Sequence, residues 1–344
     1  MPAIESIPPP SVMPLIGAFM ASRLIYLAAE LGISDLIAGG SDTTEAIAQK
    51  TQTHAPSLFR LMRTLCAYGV FEEVAPGRFG LGPMGAQLQS EVTGSVRNLA
   101  RVFGDQRCWK CVAGLEHTLR TGETGMQRVF GITGFEYLAS HPTEAKLFNA
   151  AMADVTRNMA RIAIANYDFS RYRVILDIGG GSGVFLAEVL RTVPSATGIL
   201  FDVPAGLTES QDTLIRADVT SRCTVVAGDF FKSVPSGADL MILKSVIHDW
   251  DVERATTILT RCRTAALKQS RLVLIERVMP ERMTASPANQ RAATLDMRML
   301  AVAGGLERTE DEYRKMLADV GFAWDRTIVL PAPWDQSMIE AIAI

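Results

Sequence analysis

The first chemically distinctive feature of this sequence is a glycine-rich turn preceded by a carboxylate. Residues 176–183 read LDIGGGSG, so Asp177 stands just before a turn that contains Gly179 and Gly181. Glycines in such a turn let the backbone approach a ligand closely. The dinucleotide pattern G-x-G-x-x-G fails, because Val184 occupies the place of its last glycine. A carboxylate here would repel a pyrophosphate, whereas it would attract a ligand with an ammonium group.

Two further acidic residues follow the next two β-branched runs of the chain. Asp202, followed by Val203, ends one run, and a carboxylate there can accept hydrogen bonds from both hydroxyls of a ribose. Asp229, followed by Phe230, comes after the next run, where an acid can bind the adenine amino group and a ring can cover the base. Three acids at successive strand ends predict a site for S-adenosylmethionine, which combines adenosine with an α-amino group and a sulfonium.

His248 is the candidate general base, in the segment LKSVIHDW of residues 243–250. A phenol has a pKa of ~10, so reaching the phenolate at pH 7 costs about 4 kcal/mol. A base hydrogen-bonded to the hydroxyl can remove the proton as a methyl group moves, which typically gives about 10²–10⁴-fold. An imidazole needs a carboxylate to fix its tautomer and to stabilise its charged form, and Glu276 and Glu307 are the candidates. These residue types predict methyl transfer to a hydroxyl oxygen.

Alternating strands and helices after residue 168 must position these side chains. Short β-branched runs predict buried strands, and the helical pattern fits between them, notably at residues 184–191 and 252–267. The predicted strands are residues 174–178, 198–202, 223–227, 240–244 and 272–277. This order indicates an α/β fold with a mostly parallel, doubly wound sheet in a domain of residues 169–344. We expect a capped helix at residues 309–320 and an edge strand at residues 337–344.

Residues 1–168 form a different, mainly helical region. A helix capped by Thr43 or Thr44, a second helix at residues 56–68 and a hairpin at residues 69–81 predict a winged-helix arrangement. A DNA-binding domain should be clearly basic, but residues 1–110 hold equal numbers of basic and acidic residues. We therefore expect this domain to serve dimerisation and substrate covering, not nucleic-acid binding.

Composition narrows the partners, the compartment and the metal content expected for the protein. The formal net charge of −3 gives no reason to expect nucleic acid or a membrane as a partner. No signal-peptide pattern is visible, and Arg23 and Glu30 interrupt the most apolar early stretch, so we expect a cytoplasmic enzyme. The pair Cys108 and Cys111 lacks the context of a redox or zinc motif, and the histidines are scattered, so no metal is predicted.

Together these segments resemble the caffeic-acid-type O-methyltransferases of plants and their bacterial relatives of secondary metabolism. The resemblance covers nearly the whole chain and rests on LDIGGGSG, VAGDFF, LKSVIHDW and GGLERT, at residues 176–183, 226–231, 243–250 and 304–309. It implies a Rossmann-like class I methyltransferase domain, an N-terminal winged-helix dimerisation domain that does not bind DNA, and an intertwined homodimer. It also implies that Lys244 contacts the cofactor and that the substrate, a small aromatic molecule, meets Phe148, Met152, Asp249 and Met299.

Departures from the family pattern concern the substrate. Arg298 stands where plant members carry an apolar residue, Glu144 replaces an aromatic residue, and Leu138 occupies a position that is often His. Caffeic acid is therefore not inferred as the substrate, and Arg298 suggests pairing with an acidic group. Alternatives to hydroxyl methylation are decarboxylation or hydroxylation with the same cofactor, nitrogen methylation, a winged-helix regulator and a nicotinamide dehydrogenase. Decarboxylation or hydroxylation would leave His248 and its two glutamates without a role, and nitrogen methylation is less favoured because many amines need no strong base. A nicotinamide dehydrogenase would need the full glycine fingerprint, which is incomplete in this sequence.

Overall fold

The computed structural model describes residues 11–332 and 335–344, and it divides into two compact units. The first unit ends at Gln106 and the second begins at Arg107, whereas the sequence predicts a boundary between residues 168 and 169. The long helix before residue 167 explains the difference, because Met159 and Ala163 are buried in the same core as the sheet. The functional boundary at residues 168 and 169 stays a prediction.

The first unit contains the helices and the hairpin that the sequence predicts. Thr43 caps α3 by accepting a hydrogen bond from the Ala46 amide at 3.2 Å. The hairpin strands pair antiparallel from Phe71 to Leu81. Its elements are α1 (Met13–Glu30), α2 (Ile33–Ala38), α3 (Thr44–Thr51), α4 (Ala55–Ala67), β1 (Phe71–Ala75), β2 (Arg78–Leu81), α5 (Pro83–Ala86) and α6 (Arg97–Gly104).

Helix α1 carries an exposed apolar face. Its side chains Met13, Leu15, Ile16 and Phe19 are each more than half exposed. Among the described residues, α1 is the one helix long and apolar enough to cross a bilayer, with 18 residues and a mean hydropathy of 1.2. A buried core helix of a soluble protein and an N-terminal signal sequence pass the same test, so one such helix is weak evidence of a membrane span. An apolar face of this size calls for a covering partner.

The second unit holds the remaining helices and strands. Thr309 caps α16 in a reciprocal capping box with Glu312, as its spacing predicts. The elements are α7 (Gln106–Ala113), α8 (Leu115–Thr121), α9 (Gly125–Phe130), α10 (Gly134–Ser140), α11 (Pro142–Asn166), β3 (Val174–Ile178), α12 (Val184–Thr192), β4 (Thr197–Asp202), α13 (Ser210–Arg216), β5 (Cys223–Ala227), β6 (Leu240–Lys244), α14 (Val252–Ala265), β7 (Arg271–Glu276), β8 (Val278–Met279), α15 (Pro287–Arg298), β9 (Arg308–Thr309), α16 (Glu310–Asp319), β10 (Phe322–Val329) and β11 (Ser337–Ala343).

The central sheet has the order β10-β11-β7-β6-β3-β4-β5. Strands β7, β6, β3, β4 and β5 are parallel, and β11 runs antiparallel to both of its neighbours. The predicted edge position of residues 337–344 is therefore wrong, because β11 lies between β10 and β7 and is buried along most of its length. Strand β10 forms the edge, and its polar stretch around Asp325, with a register shift between Trp324 and Arg326, gave no strand pattern.

Parallel pairing sets the place of the functional side chains. The carboxyl ends of β3, β4, β6 and β7 meet at one edge, since Ile178 pairs with Phe201 and with Leu243, and Lys244 pairs with Ile275. Apolar cores cover both faces of this sheet. In such folds, ligands bind at that edge.

Candidate active site

The glycine turn after β3 is shaped for close backbone packing. Gly179 and Gly181 both adopt positive φ, at 69° and 56°. A Cβ at Gly179 would lie 2.9 Å from Val246, and one at Gly180 would lie 2.5 Å from Leu200. A Cβ at Gly181 would meet no atom within 4 Å, so space opens on this side of the turn. The turn therefore brings bare backbone to an open region beside Asp177.

Asp177 supplies the buried negative group of this turn. Its side chain is 1% exposed, and its Oδ2 has no hydrogen-bond partner among the described residues. Burial raises the pKa of Asp177 to about 7, while the nearby Lys244 lowers it and Asp202 raises it further. A buried carboxylate oxygen without a donor fits the α-amino group of S-adenosylmethionine, which would supply both a charge and hydrogen bonds.

Asp202 ends β4 beside the glycine turn. Its Oδ2 accepts a hydrogen bond from the Gly181 amide at 2.7 Å, and its Oδ1 accepts one from the Val203 amide at 2.6 Å. Burial raises the pKa of Asp202, and these two amides partly offset the effect. A carboxylate has about four acceptor positions, so both oxygens keep capacity for ribose hydroxyls.

Asp229 and Phe230 follow β5, where the sequence predicts the adenine site. Asp229 Oδ1 accepts a hydrogen bond from the Phe231 amide at 2.9 Å, and the Lys232 ammonium lies 3.5 Å from Oδ2. The Phe230 ring packs edge-on against Phe231, with centroids 4.9 Å apart. Its edge lies 3.6 Å from the position of a Cβ at Gly179, so the fold brings Phe230 against the glycine turn.

Lys244, at the end of β6, lies near the carboxylates of Asp177, Glu276 and Asp249. Burial lowers the pKa of Lys244, and the carboxylates of Asp177, Glu276 and Asp249 oppose that shift. Lys244 thus couples electrostatically to both groups of acids. Its cation balances part of their negative charge.

His248 lies in a one-turn 3-10 helix, Ile247–Asp249, directly after β6. Glu276, fully buried at the end of β7, holds this turn: its Oε1 accepts hydrogen bonds from the amides of Val246 at 2.9 Å and Ile247 at 2.8 Å. On the other side, the His248 carbonyl accepts a hydrogen bond from the Leu306 amide at 2.9 Å. Gly305 is required there, because a Cβ would lie 2.0 Å from that carbonyl oxygen.

The imidazole of His248 is surrounded by carboxylates. Its Nδ1 lies 3.1 Å from Glu307 Oε1 and 3.7 Å from Glu276 Oε2, and its Nε2 lies 3.7 Å from Asp249 Oδ1. Burial by itself lowers the pKa of His248, but Glu276, Asp249 and Glu307 outweigh it and raise the pKa to about 10. The predicted base and both predicted glutamates therefore form one cluster.

The residues that the resemblance assigns to the substrate lie on two elements. Phe148 and Met152 are one turn apart on α11, and both are half-buried. Met299 begins a π-helical turn, Met299–Ala303, and is also half-buried. Helix α9 packs on that turn, since a Cβ at Gly125 would lie 2.9 Å from the Ala301 carbonyl. Arg298 is the last residue of α15 and half-buried.

Several groups around the cluster were not predicted from the sequence. The Glu307 amide donates to Asp296 at 2.9 Å, and Arg277 Nη1 lies 3.5 Å from Glu307 Oε1. Phe135 stacks on Trp250, with ring centroids 5.6 Å apart. Arg308, inside the GGLERT segment, is buried beneath the His248 turn. Their residue types carry no catalytic signal, and only their position in space reveals them.

His248, Glu276 and Glu307 also have the composition of a metal site. Their ligand atoms all lie within 4.8 Å of one another. Two features favour an acid–base cluster: the Nδ1 of His248 is within hydrogen-bond distance of Glu307, and the Arg277 guanidinium lies beside the same carboxylate. That no metal takes part in the reaction stays a prediction.

Comparisons with known proteins agree with this architecture. Residues 113–323 match the family model of the O-methyltransferase domain, and residues 13–90 match that of the O-methyltransferase dimerisation domain. The chain is 38% identical over 330 residues to the phenazine O-methyltransferase PhzM of Lysobacter antibioticus, covering 96% of this chain and 95% of that protein. It is 36% identical over 321 residues to the 3-amino-4-hydroxybenzoate 4-O-methyltransferase of Streptomyces cremeus, covering 92% and 86%.

A solved structure with bound ligands is similar over nearly the whole chain. NcsB1, an O-methyltransferase from neocarzinostatin biosynthesis, was solved in complex with S-adenosylmethionine and 2-hydroxy-5-methyl naphthoic acid. It is 29% identical, with a TM-score of 0.77, covering 94% of this chain and 96% of that one. With the domain matches and the fold, these similarities establish that the chain belongs to the O-methyltransferase family and is an S-adenosylmethionine-dependent O-methyltransferase with an N-terminal dimerisation domain.

Proposed function

We propose that this enzyme methylates a phenolic hydroxyl of a small aromatic molecule, with His248 as the general base. The observation that carries the proposal is the pairing of His248 Nδ1 with Glu307 at 3.1 Å. A proton held on Nδ1 by this carboxylate leaves Nε2 as the acceptor. Nε2 then removes the hydroxyl proton as the oxygen attacks.

Bound S-adenosylmethionine supplies an electrophilic methyl group on a sulfonium. Asp177, with Gly179 and Gly181, binds the amino-acid end, and Asp202 with Val203 binds the ribose. Asp229 and Phe230 bind the adenine, and Lys244 balances the charge of the surrounding acids. These residues act chiefly by alignment, because in-line displacement requires the oxygen, methyl carbon and sulfur to be collinear.

Electrostatics suit His248 to hold a proton. The carboxylates around it stabilise the imidazolium that forms when the phenol is deprotonated. A phenol pKa of ~10 is close to the raised pKa of His248, so transfer between them is nearly balanced. The free-energy cost falls on an earlier step, because His248 must lose its own proton before it can accept the proton of the phenol.

Aromatic substrates are supported by the similar proteins, whose printed names mention phenazine, 3-amino-4-hydroxybenzoate and a naphthoic acid. Phe148, Met152 and Met299 offer apolar surface to such a ring, and Asp249 lies near the reacting nitrogen of His248.

Arg298 pairs with an acidic group of the substrate. For that pairing, Arg298→Met should raise KM for a carboxylated phenol by about tenfold, as expected when a charge-assisted hydrogen bond is lost. An unchanged KM contradicts it.

The first unit supports an assembly of two chains. The exposed apolar face of α1 lies within the matched dimerisation domain, and a second copy of the chain covers it in a homodimer. The protein acts in the cytoplasm. Neither nucleic acid nor a membrane is needed for its reaction.

The first experiment compares the wild type with His248→Ala, each incubated with S-adenosylmethionine and a panel of catechols, hydroxybenzoates, naphthols and polyketide phenols. We expect a product heavier by one methylene from the wild type and about 10²–10⁴-fold less from the variant. Equal product from both proteins removes His248 from its role. An aniline matched to the best phenol separates oxygen methylation from nitrogen methylation.

Two further outcomes test the alternatives. A product that lacks carbon dioxide or gains oxygen, with the methyl group retained on the cofactor, indicates the decarboxylating or hydroxylating chemistry. Turnover that a chelator abolishes and that a divalent metal restores places a metal on His248, Glu276 and Glu307. We expect turnover to be insensitive to chelator.

A further inference from the structure

Arg308 is a buried cation in the GGLERT segment, to which the proposed reaction gives no role. Its side chain is 1% exposed, and it begins β9, directly after Glu307. Its Nη1 donates to the Ile247 carbonyl at 2.9 Å, and its Nη2 donates to the Trp250 carbonyl at 2.7 Å. These two carbonyls lie on either side of His248. One guanidinium therefore spans the turn that carries the base.

Hydrogen bonds from Leu306 and to Glu276 fix the rest of the backbone around His248. The Leu306 amide holds the His248 carbonyl, and Glu276 accepts from the amides of Val246 and Ile247. Arg308 donates to the carbonyls of Ile247 and Trp250, and the Ile247 carbonyl also accepts a longer bond from the Trp250 amide at 3.3 Å. The orientation of His248 depends on the whole set of bonds.

We infer that Arg308 is a positioning residue that holds His248 in the geometry required for proton removal. This inference rests on the proposed function of His248 as the base. A guanidinium is a rigid, planar fork whose separate N–H groups reach two acceptors at once, whereas an ammonium is a single point of charge. Lysine at this position keeps the charge but cannot hold both carbonyls in the same geometry. A shift of the base by about 1 Å is enough to cost on the order of 10²-fold in rate.

Arg222 offers a matched control in the same unit. Its Nη1 donates to the Ala196 carbonyl at 2.9 Å, and its Nη2 donates to the Leu190 carbonyl at 2.8 Å. It bridges the end of α12, which carries none of the residues assigned to the cofactor, the base or the substrate. Arg222→Lys therefore removes the same kind of backbone bridge as Arg308→Lys, away from the His248 turn.

The experiment measures kcat for both variants on fluorinated analogues of an accepted phenol, chosen so that the hydroxyl pKa falls from ~10 to below 7. On the least acidic phenol, Arg308→Lys should lose about 10–100-fold in kcat, with the Kd for S-adenosylmethionine within about threefold of the wild type. The loss should shrink to about threefold for the most acidic phenol, because a phenolate needs no base. Arg222→Lys should retain the wild-type kcat throughout.

An equal loss for all phenols assigns Arg308 a purely structural role and overturns the inference, as does a wild-type kcat in Arg308→Lys. His248→Gln in the same series tests the proposed base separately. If its loss does not depend on the hydroxyl pKa, the proposed function fails. If it does depend on it while Arg308→Lys shows no such dependence, only the inference about Arg308 fails. Should Arg308→Lys not fold, Arg308→Gln, which keeps donors for one carbonyl, replaces it.

Discussion

Two glutamates of the central sheet are fully buried, and their surroundings differ. Glu340, on β11, has partners on both oxygens: Oε1 accepts from Tyr167 at 2.8 Å and Tyr172 at 3.2 Å, and Oε2 accepts from Arg326 at 2.7 Å. Glu276, on β7, accepts two backbone amides on Oε1, while its Oε2 has no hydrogen-bond partner in the described part of the chain and lies 3.7 Å from His248 Nδ1.

The difference separates a carboxylate held by structural bonds from one that we propose acts in catalysis. The partners on both oxygens of Glu340 hold it in place, and it ties the segments at Tyr167 and Tyr172 to strand β10 through Arg326. Burial raises the pKa of Glu276, whereas His248 lowers it, so the charge of Glu276 depends on the state of the imidazole. An unsatisfied acceptor beside a titrating group is typical of an active site.

The largest expected effect is on catalysis by Glu276→Gln. The amide oxygen can still accept from Val246 and Ile247, so the turn should persist, but the charge that stabilises the imidazolium is lost. We expect the limiting kcat at high pH, where His248 is unprotonated in both proteins, to fall about 100-fold, which corresponds to about 2.7 kcal/mol of transition-state stabilisation. Steady-state kinetics checks this, with urea unfolding as the control for fold. A wild-type kcat in Glu276→Gln would show that Glu276 has no role in catalysis.

The next effect is on the pH dependence of kcat/KM. The pKa of His248 lies near 10, above its ordinary value of 6.5, so the free enzyme carries a protonated imidazole at pH 7. Activity should rise with pH, by about tenfold per unit below the pKa, as the base loses its proton. In Glu276→Gln the rise should move to lower pH, because a neighbouring negative charge is gone. In Glu340→Gln the activity should rise over the same pH range as in the wild type. A shift of that range in Glu340→Gln would contradict the distinction drawn between Glu276 and Glu340.

The smallest effect on activity is expected for Glu340→Gln. Loss of a charged acceptor for two tyrosines and an arginine should lower the free energy of unfolding by about 1–3 kcal/mol. At a temperature where the variant remains folded, kcat should stay within about twofold of the wild type, because Glu340 touches none of the cluster. Denaturant unfolding and kinetics on one preparation test both halves. A large fall in kcat without loss of stability would contradict the structural assignment.

Local sequence patterns were enough to find six of the seven strands of the central sheet. The β-branched runs predicted β3, β5 and β6 at their observed bounds, and β4 and β7 within one residue. The capping pattern at Thr309 predicted α16. Local sequence specifies these elements, because the residues whose pattern predicts each element are the same residues that form it. Strand β10 was missed for the same reason, since its pairing with β11, not its own pattern, makes it a strand.

The sequence alone determined the residue types of the site, Asp177 before the glycines and His248 after β6, because strand ends are visible in the local pattern. Glu276 and Glu307 were candidates by type, but their distances to His248 come from three segments that meet only in the folded chain. Tertiary structure alone decided that Arg308 bridges the His248 turn and that Glu340 is satisfied while Glu276 is not. Hydrogen bonding and desolvation depend on neighbours distant in sequence, and no local pattern encodes them.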